Sequence, residues 1–268
     1  MCAASLADSI ERYAARRLCR RCWWAVCLAG LLVLGQGPCA GAPDGTPEWA
    51  PDGSGERVLG PEINAYYHGA DVGRWRQTFE SPGREVFDRR VEIVRALGLQ
   101  PGMVVADVGA GTGLYSMLFA HAVGPTGRVY AVDISASFIE AISARAADYQ
   151  VDNLVPVRND PRSVQLPEAS VDLIFSADTY HHFEFPRAML ASIHRVLRPN
   201  GVLALIDFHR IPGISSPWIM GHVRAGREQV IAEVEAAGFE LWDEPLTLQS
   251  NYFLRFRKRL SASGTDGD

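Results

Sequence analysis

The run Val104-Val105-Ala106-Asp107-Val108-Gly109-Ala110-Gly111-Thr112-Gly113 carries an apolar, β-branched stretch straight into a turn with glycines at alternate positions. Lacking a Cβ, Gly109, Gly111 and Gly113 let the backbone bend sharply and approach a ligand closely. Asp133 stands 20 residues beyond Gly113, at the end of the next strand-like run. A carboxylate there can accept both hydroxyl protons of a ribose. Asp107 lies two residues before the first glycine. Beside it a diphosphate would be repelled, whereas an ammonium or sulfonium would be attracted. A nicotinamide dinucleotide also wants two residues between its second and third glycines, and this turn has one.

A second group, Asp178, Tyr180, His181 and His182, follows a later apolar run. Histidine titrates near neutrality, so His181 or His182 can serve as a general base, with Asp178 as the second choice. A metal is not expected. Adjacent residues on a helix face different ways, which makes His181 and His182 poor co-ligands. All five cysteines lie within the first 39 residues, and no HxxxH spacing occurs, so nothing supports a zinc site or a disulfide framework in the domain.

The elements that must position these groups alternate in period. Runs 103–108, 128–132, 154–157, 171–176 and 202–206 are short, apolar and rich in β-branched residues, as suits strands buried on both faces. Helical spacing occupies 83–98, 114–122, 135–148, 187–197 and 227–237. Such alternation predicts right-handed βαβ units and a doubly wound, Rossmann-like α/β sheet. Two further strand-like runs, 240–248 and 252–257, are separated by only three residues, which permits a hairpin and forbids a parallel crossover. The expectation is a seven-stranded sheet, mostly parallel, with its last strand antiparallel.

With those elements in place, ADVGAGTG followed by VYAVD resembles the cofactor-binding pattern of class I S-adenosylmethionine-dependent methyltransferases. LPEASVDLIFSAD and VLRPNGVLALIDF resemble later motifs of that family, and the likeness extends from about Arg84 to Lys258. The small-molecule subgroup that includes ubiquinone/menaquinone C-methyltransferases is the most similar in character, although its substrate-side signatures are absent. The resemblance implies S-adenosylmethionine as cofactor, held by Asp107, Gly109, Gly111, Gly113 and Asp133, and a small-molecule methyl acceptor. It also places Asp160 near the adenine amino group, although Asp160-Pro161 equally reads as a turn. Ile134 can stack on the adenine or belong to the core.

Composition bounds the partners. The chain has 268 residues and a net charge of −5, and its one basic run, Arg255 to Arg259, reads as a solvated strand edge, so no nucleic-acid partner is expected. Arg12, Arg16, Arg17, Arg20 and Arg21 precede the apolar run Trp23 to Leu34 and a small-residue stretch. That layout predicts a signal peptide or N-terminal anchor over 1–42, placing the domain beyond a membrane; a mis-assigned start would leave it cytoplasmic. Residues 43–60 read as a flexible linker, 61–260 as the domain, 61–82 as a helical lid rich in aromatics, and 261–268 as a disordered tail. An exported domain would lie away from a cofactor made in the cytoplasm, so the alternative function is a non-catalytic binding protein of the same fold.

Overall fold

The computed structural model describes residues 57–259. The segment expected as a signal or anchor, most of the expected linker and the expected tail lie outside the described residues. No described helix is long and apolar enough to cross a membrane.

In chain order the elements are α1 (Glu62–Ala65), α2 (Val72–Phe79), α3 (Glu85–Asp88), α4 (Arg90–Ala96), β1 (Val104–Val108), α5 (Leu114–Val123), β2 (Arg128–Asp133), α6 (Ala136–Asp148) and β3 (Leu154–Arg158). They continue with β4 (Val171–Ala177), a 3-10 turn (Tyr180–His182), α7 (Pro186–Val196), β5 (Leu197–Phe208), α8 (Pro217–His222), α9 (Arg227–Ala236), β6 (Phe239–Asp243) and β7 (Asn251–Lys258). The seven strands form one sheet in the order β3-β2-β1-β4-β5-β7-β6. β7 pairs antiparallel with both β5 and β6, and every other pairing is parallel. The expected sheet is therefore present, with its reversed strand inserted between β5 and β6.

The centre of the sheet is apolar on both faces. Val105, Ala106, Leu173, Ile174, Leu203 and Leu205 are buried on the central strands. Helix α7 turns Met189, Leu190, Ile193 and Val196 inward at helical spacing, and each such side chain contributes about 1.5–3 kcal/mol relative to exposure. This rigid centre brings the carboxyl ends of β1, β2, β4 and β5 to one edge, and the strand order reverses between β1 and β4. Open α/β sheets bind ligands at such a reversal.

Four expectations are corrected. The helix expected over 83–98 is two short helices that break at Arg89, whose guanidinium reaches the Thr247 carbonyl at 2.6 Å. The strand expected over 240–248 ends at Asp243, and seven residues, not three, join it to β7. Helix α8 was not expected at all. The linker expected to run to residue 60 is already docked at its end: the Val58 N–H donates to the Glu184 carbonyl at 2.8 Å, and Arg57 pairs with the Glu184 carboxylate at 3.3 Å.

Candidate functional site

A cleft of about 1080 Å³, counted out to its open mouth, lies at that sheet edge. One end of it is built by the β1–α5 turn. Gly109, Gly111 and Gly113 all have positive φ, and a Cβ on Gly109 would stand 2.3 Å from the Thr179 methyl. Glycine is required there both by backbone conformation and by close approach. Asp107, on β1, lines the cleft and accepts a hydrogen bond from the Ser116 hydroxyl at 2.6 Å. Burial drives its carboxyl up to about 7, against the lowering effect of that hydroxyl.

Asp133 closes β2 and also lines the cleft. It accepts from the Gly111 and Ser135 N–H groups, each at 2.8 Å, which fixes the carboxylate against the glycine turn. Burial raises it to about 6 although those amides work to lower it. Each oxygen retains a lone-pair direction for a further donor. Ile134 and Phe138 form apolar wall beside it.

Asp160 is placed differently. Its carboxylate accepts from the Arg162 N–H at 2.7 Å and from the Gln165 side chain, so it closes an Asx-type turn, and the cleft wall is supplied instead by its neighbours Asn159 and Pro161. The turn reading of Asp160-Pro161 describes the observed local structure.

The other end of the cleft is assembled from distant segments. Asp178 has φ +49, lines the cleft, and accepts from Arg84 at 2.7 Å and from the Asn251 amide at 2.6 Å. Burial raises its carboxyl, and the Arg84 cation opposes the rise. His181 is buried, and its Nδ1 meets the Asp207 carboxylate at 2.7 Å. Burial works against ionisation of Asp207, but the His181 imidazole and the His181 and Phe208 amides hold it below the ordinary carboxylate range. His182 lines the cleft, with burial and then the neighbouring His181 and His222 pushing it down to about 3. Its Nδ1 is buried without a hydrogen-bond partner.

The expectation that His181 and His182 diverge is also corrected. They lie on a 3-10 turn, with ring centroids 4.3 Å apart. His222, from α8, joins them: its Nε2 is 3.4 Å from His182 Nε2.

The segment expected as a lid covers this region. Tyr67 packs on Trp75, Phe79, Phe138 and the His182 ring at centroid distances of 4.9 to 6.5 Å. Tyr66 takes no part and is 79% exposed. The segment is anchored by Glu80, whose carboxylate accepts from the buried Arg145 at 2.7 Å and from the Thr112 hydroxyl at 2.9 Å. Asn64 donates to the His182 carbonyl and to Glu184.

Sequence reading missed Arg84, Asn159, Asp207 and His222. Asp207 could have been found, since it ends a predicted strand at the same sheet edge as Asp133 and Asp178. The others come from loops and short helices whose approach no local spacing records.

Residues 106–205 match the family described as methyltransferase domain. The ubiquinone/menaquinone biosynthesis C-methyltransferase UbiE of Shewanella sp. strain W3-18-1 is 30% identical over 118 residues, 44% of this chain and 47% of that protein. The chain thus spans about half the length of the curated relatives it matches. A solved S-adenosylmethionine-dependent methyltransferase from Aquifex aeolicus superposes with a TM-score of 0.62 and 26% identity, covering 69% of this chain and 97% of that one. The [4+2]-cyclase SpnF, 23% identical with a TM-score of 0.53 over 61% of this chain and 62% of its own, shares the fold. The fold therefore does not by itself name the reaction.

Proposed function

We propose that the chain carries a class I S-adenosylmethionine-dependent methyltransferase domain and that its cleft transfers the methyl group to a small-molecule acceptor. The observation that carries the reading is the joint placement of the Gly109–Gly113 turn, Asp107 and Asp133 on one wall of one cleft. These residues fit the cofactor. Asp133 offers two oxygens at the lip of β2 to a ribose diol, Asp107 offers a carboxylate to an ammonium, and the glycine turn leaves room where side chains would intrude. When bound, the cofactor supplies an electrophilic methyl on a sulfonium. The protein's own work is positioning and exclusion of water, which in general can account for about 7–11 kcal/mol of a barrier.

At the acceptor end, Asp178 is engaged by Arg84 and Asn251, and His181 is turned to Asp207. His182 remains, with its ring on the cleft wall. Its low proton affinity suits it to present a neutral imidazole lone pair at the acceptor end, more than to hold a proton. Residues 61–82, with Tyr67 and Phe79 in the wall, act as the lid that shields this end. A methyl-release assay with radiolabelled cofactor and fractionated small-molecule extract tests the activity. Labelled product from the native chain, lost in Asp133→Ala, is expected; label that never leaves the cofactor in any fraction would overturn it.

The basic and apolar N-terminal run supports placing the domain beyond a membrane. A phosphatase fused after Asp268 should be active there, and a fluorescent protein that matures only inside the cell should stay dark. The opposite pair of results would return the domain to the cytoplasm.

A further inference from the structure

We propose that His181, His182 and His222 form a three-histidine site for a first-row divalent transition metal of the zinc type, at the acceptor end of the cleft. One nitrogen from each ring can be chosen so that all three lie within 4.8 Å of one another. A tetrahedral zinc with bonds of about 2.0–2.1 Å sets its ligand nitrogens roughly 3.3 Å apart. His182 Nε2 and His222 Nε2 already stand at 3.4 Å. Two imidazole nitrogens bound to one tetrahedral ion span this distance, and the His181 ring brings a nitrogen within 4.8 Å of the other two.

The surroundings supply what ligating histidines require. A metal-binding imidazole ordinarily gives its other nitrogen to a carboxylate or a backbone group, which fixes its orientation and raises its basicity. His181 does this through Nδ1 to Asp207 at 2.7 Å, leaving Nε2 for the ion. Asp207 is itself held by the His181 and Phe208 amides at 3.0 and 2.8 Å. His182 keeps Nδ1 buried, which leaves its Nε2, the atom that faces His222, for the ion. His222 is braced by Trp218, stacked at 4.6 Å. An all-imidazole set favours zinc, cobalt, nickel or copper over magnesium or calcium, which want oxygen. Three protein ligands leave a fourth position, and because His182 is also cleft wall, that position suits a heteroatom of the acceptor. The ion would grip the acceptor; the methyl donor's contacts, Asp107 and Asp133, lie elsewhere.

The test uses Co(II), a tetrahedral probe with visible absorption, titrated into the full chain after chelator treatment and in parallel into His222→Ala. The five N-terminal cysteines are common to both, so the difference between them isolates the histidines. One additional equivalent in the native protein, with absorption lost in His222→Ala, is expected, and Asp207→Asn should weaken affinity roughly 10- to 100-fold. His222→Phe, which keeps the ring against Trp218, repeats the loss if removal of the ring disturbs α8. Affinity for S-adenosylmethionine, measured in the same variants, should be unchanged, which separates failure of this site from failure of the cofactor reading. Equal Co(II) uptake and spectra in the native protein and both His222 variants, or no uptake in any, would overturn the proposal.

Discussion

The two ends of the cleft are built on different principles. The donor end comes from two stretches, 107–113 and 133–138, each a strand running into a helix, with Asp133 held by backbone amides and Asp107 by the Ser116 hydroxyl of the helix that follows it. The acceptor end draws Tyr67, Arg84, Asp178, His181, His182, Asp207 and His222 from five separate segments, of which Tyr67, Arg84 and His222 are brought in by side-chain contacts. The first is rigid because the sheet is rigid. The second depends on how well the covering segment is tied down, so changes there, at its anchor Glu80 excepted, should alter acceptor handling and leave the donor contacts intact.

Glu80 is where the two ends join, and its loss should have the largest effect. Its carboxylate and Arg145 are both buried, and removing one partner of such a pair costs about 3–5 kcal/mol. Glu80→Ala should lower stability by that amount in urea titration and weaken both ends together, since Arg145 also bonds the Thr112 carbonyl at 2.9 Å. Loss confined to the acceptor end would show that the ends are less coupled than the geometry implies. Gly109→Ala should follow at about 2–4 kcal/mol, combining left-handed backbone strain with overpacking against Thr179. It should abolish cofactor binding in whatever fraction remains folded, as read by calorimetry.

A smaller effect sharpens the electrostatic half of the comparison. Asp107 holds its proton to about pH 7 in the ligand-free fold, whereas the unfolded chain releases it near the ordinary carboxylate value. The raised value means the ligand-free protein is favoured at low pH and loses that contribution as pH rises through about 7. Cofactor affinity runs the opposite way, because a cationic ligand needs the ionised form. Affinity should fall roughly tenfold, about 1.4 kcal/mol, between pH 8 and pH 6. A flat profile would remove Asp107 as the partner of a cation. The least effect on the donor end should come from Tyr67→Ala, which opens the cover: acceptor KM should rise severalfold while cofactor Kd stays within about threefold. Equal loss in both would make residues 61–82 core structure instead of a lid.

How much the sequence disclosed follows the same division. Strand-to-turn chemistry is local, so Asp107, the three glycines and Asp133 could be read from spacing, and all five line or shape the cleft. The sheet was legible because buried parallel strands are short apolar runs bounded by turn residues. Asp160 shows the limit of a positional carry-over, since a two-residue turn consumed the carboxylate. The histidine cluster shows another limit. A helical assumption for 181–182 hid their convergence, and nothing about His222, 40 residues on, links it to His182 before the chain is folded. The covering helices were visible as aromatic content but not as anchored structure, because Glu80, Arg145 and Thr112 meet across 65 residues of sequence.

The central claim is that this cleft takes S-adenosylmethionine through the wall that Asp133 completes. Calorimetric titration of S-adenosylmethionine at pH 8 into the full chain and into Asp133→Ala tests it most directly. One site is predicted in the native protein. Asp133→Ala should bind about 2–4 kcal/mol more weakly, as two charged hydrogen bonds to a ribose are lost, and a circular dichroism spectrum should confirm that the sheet is retained. No heat of binding in the native chain, or the same affinity in both proteins, would contradict the account.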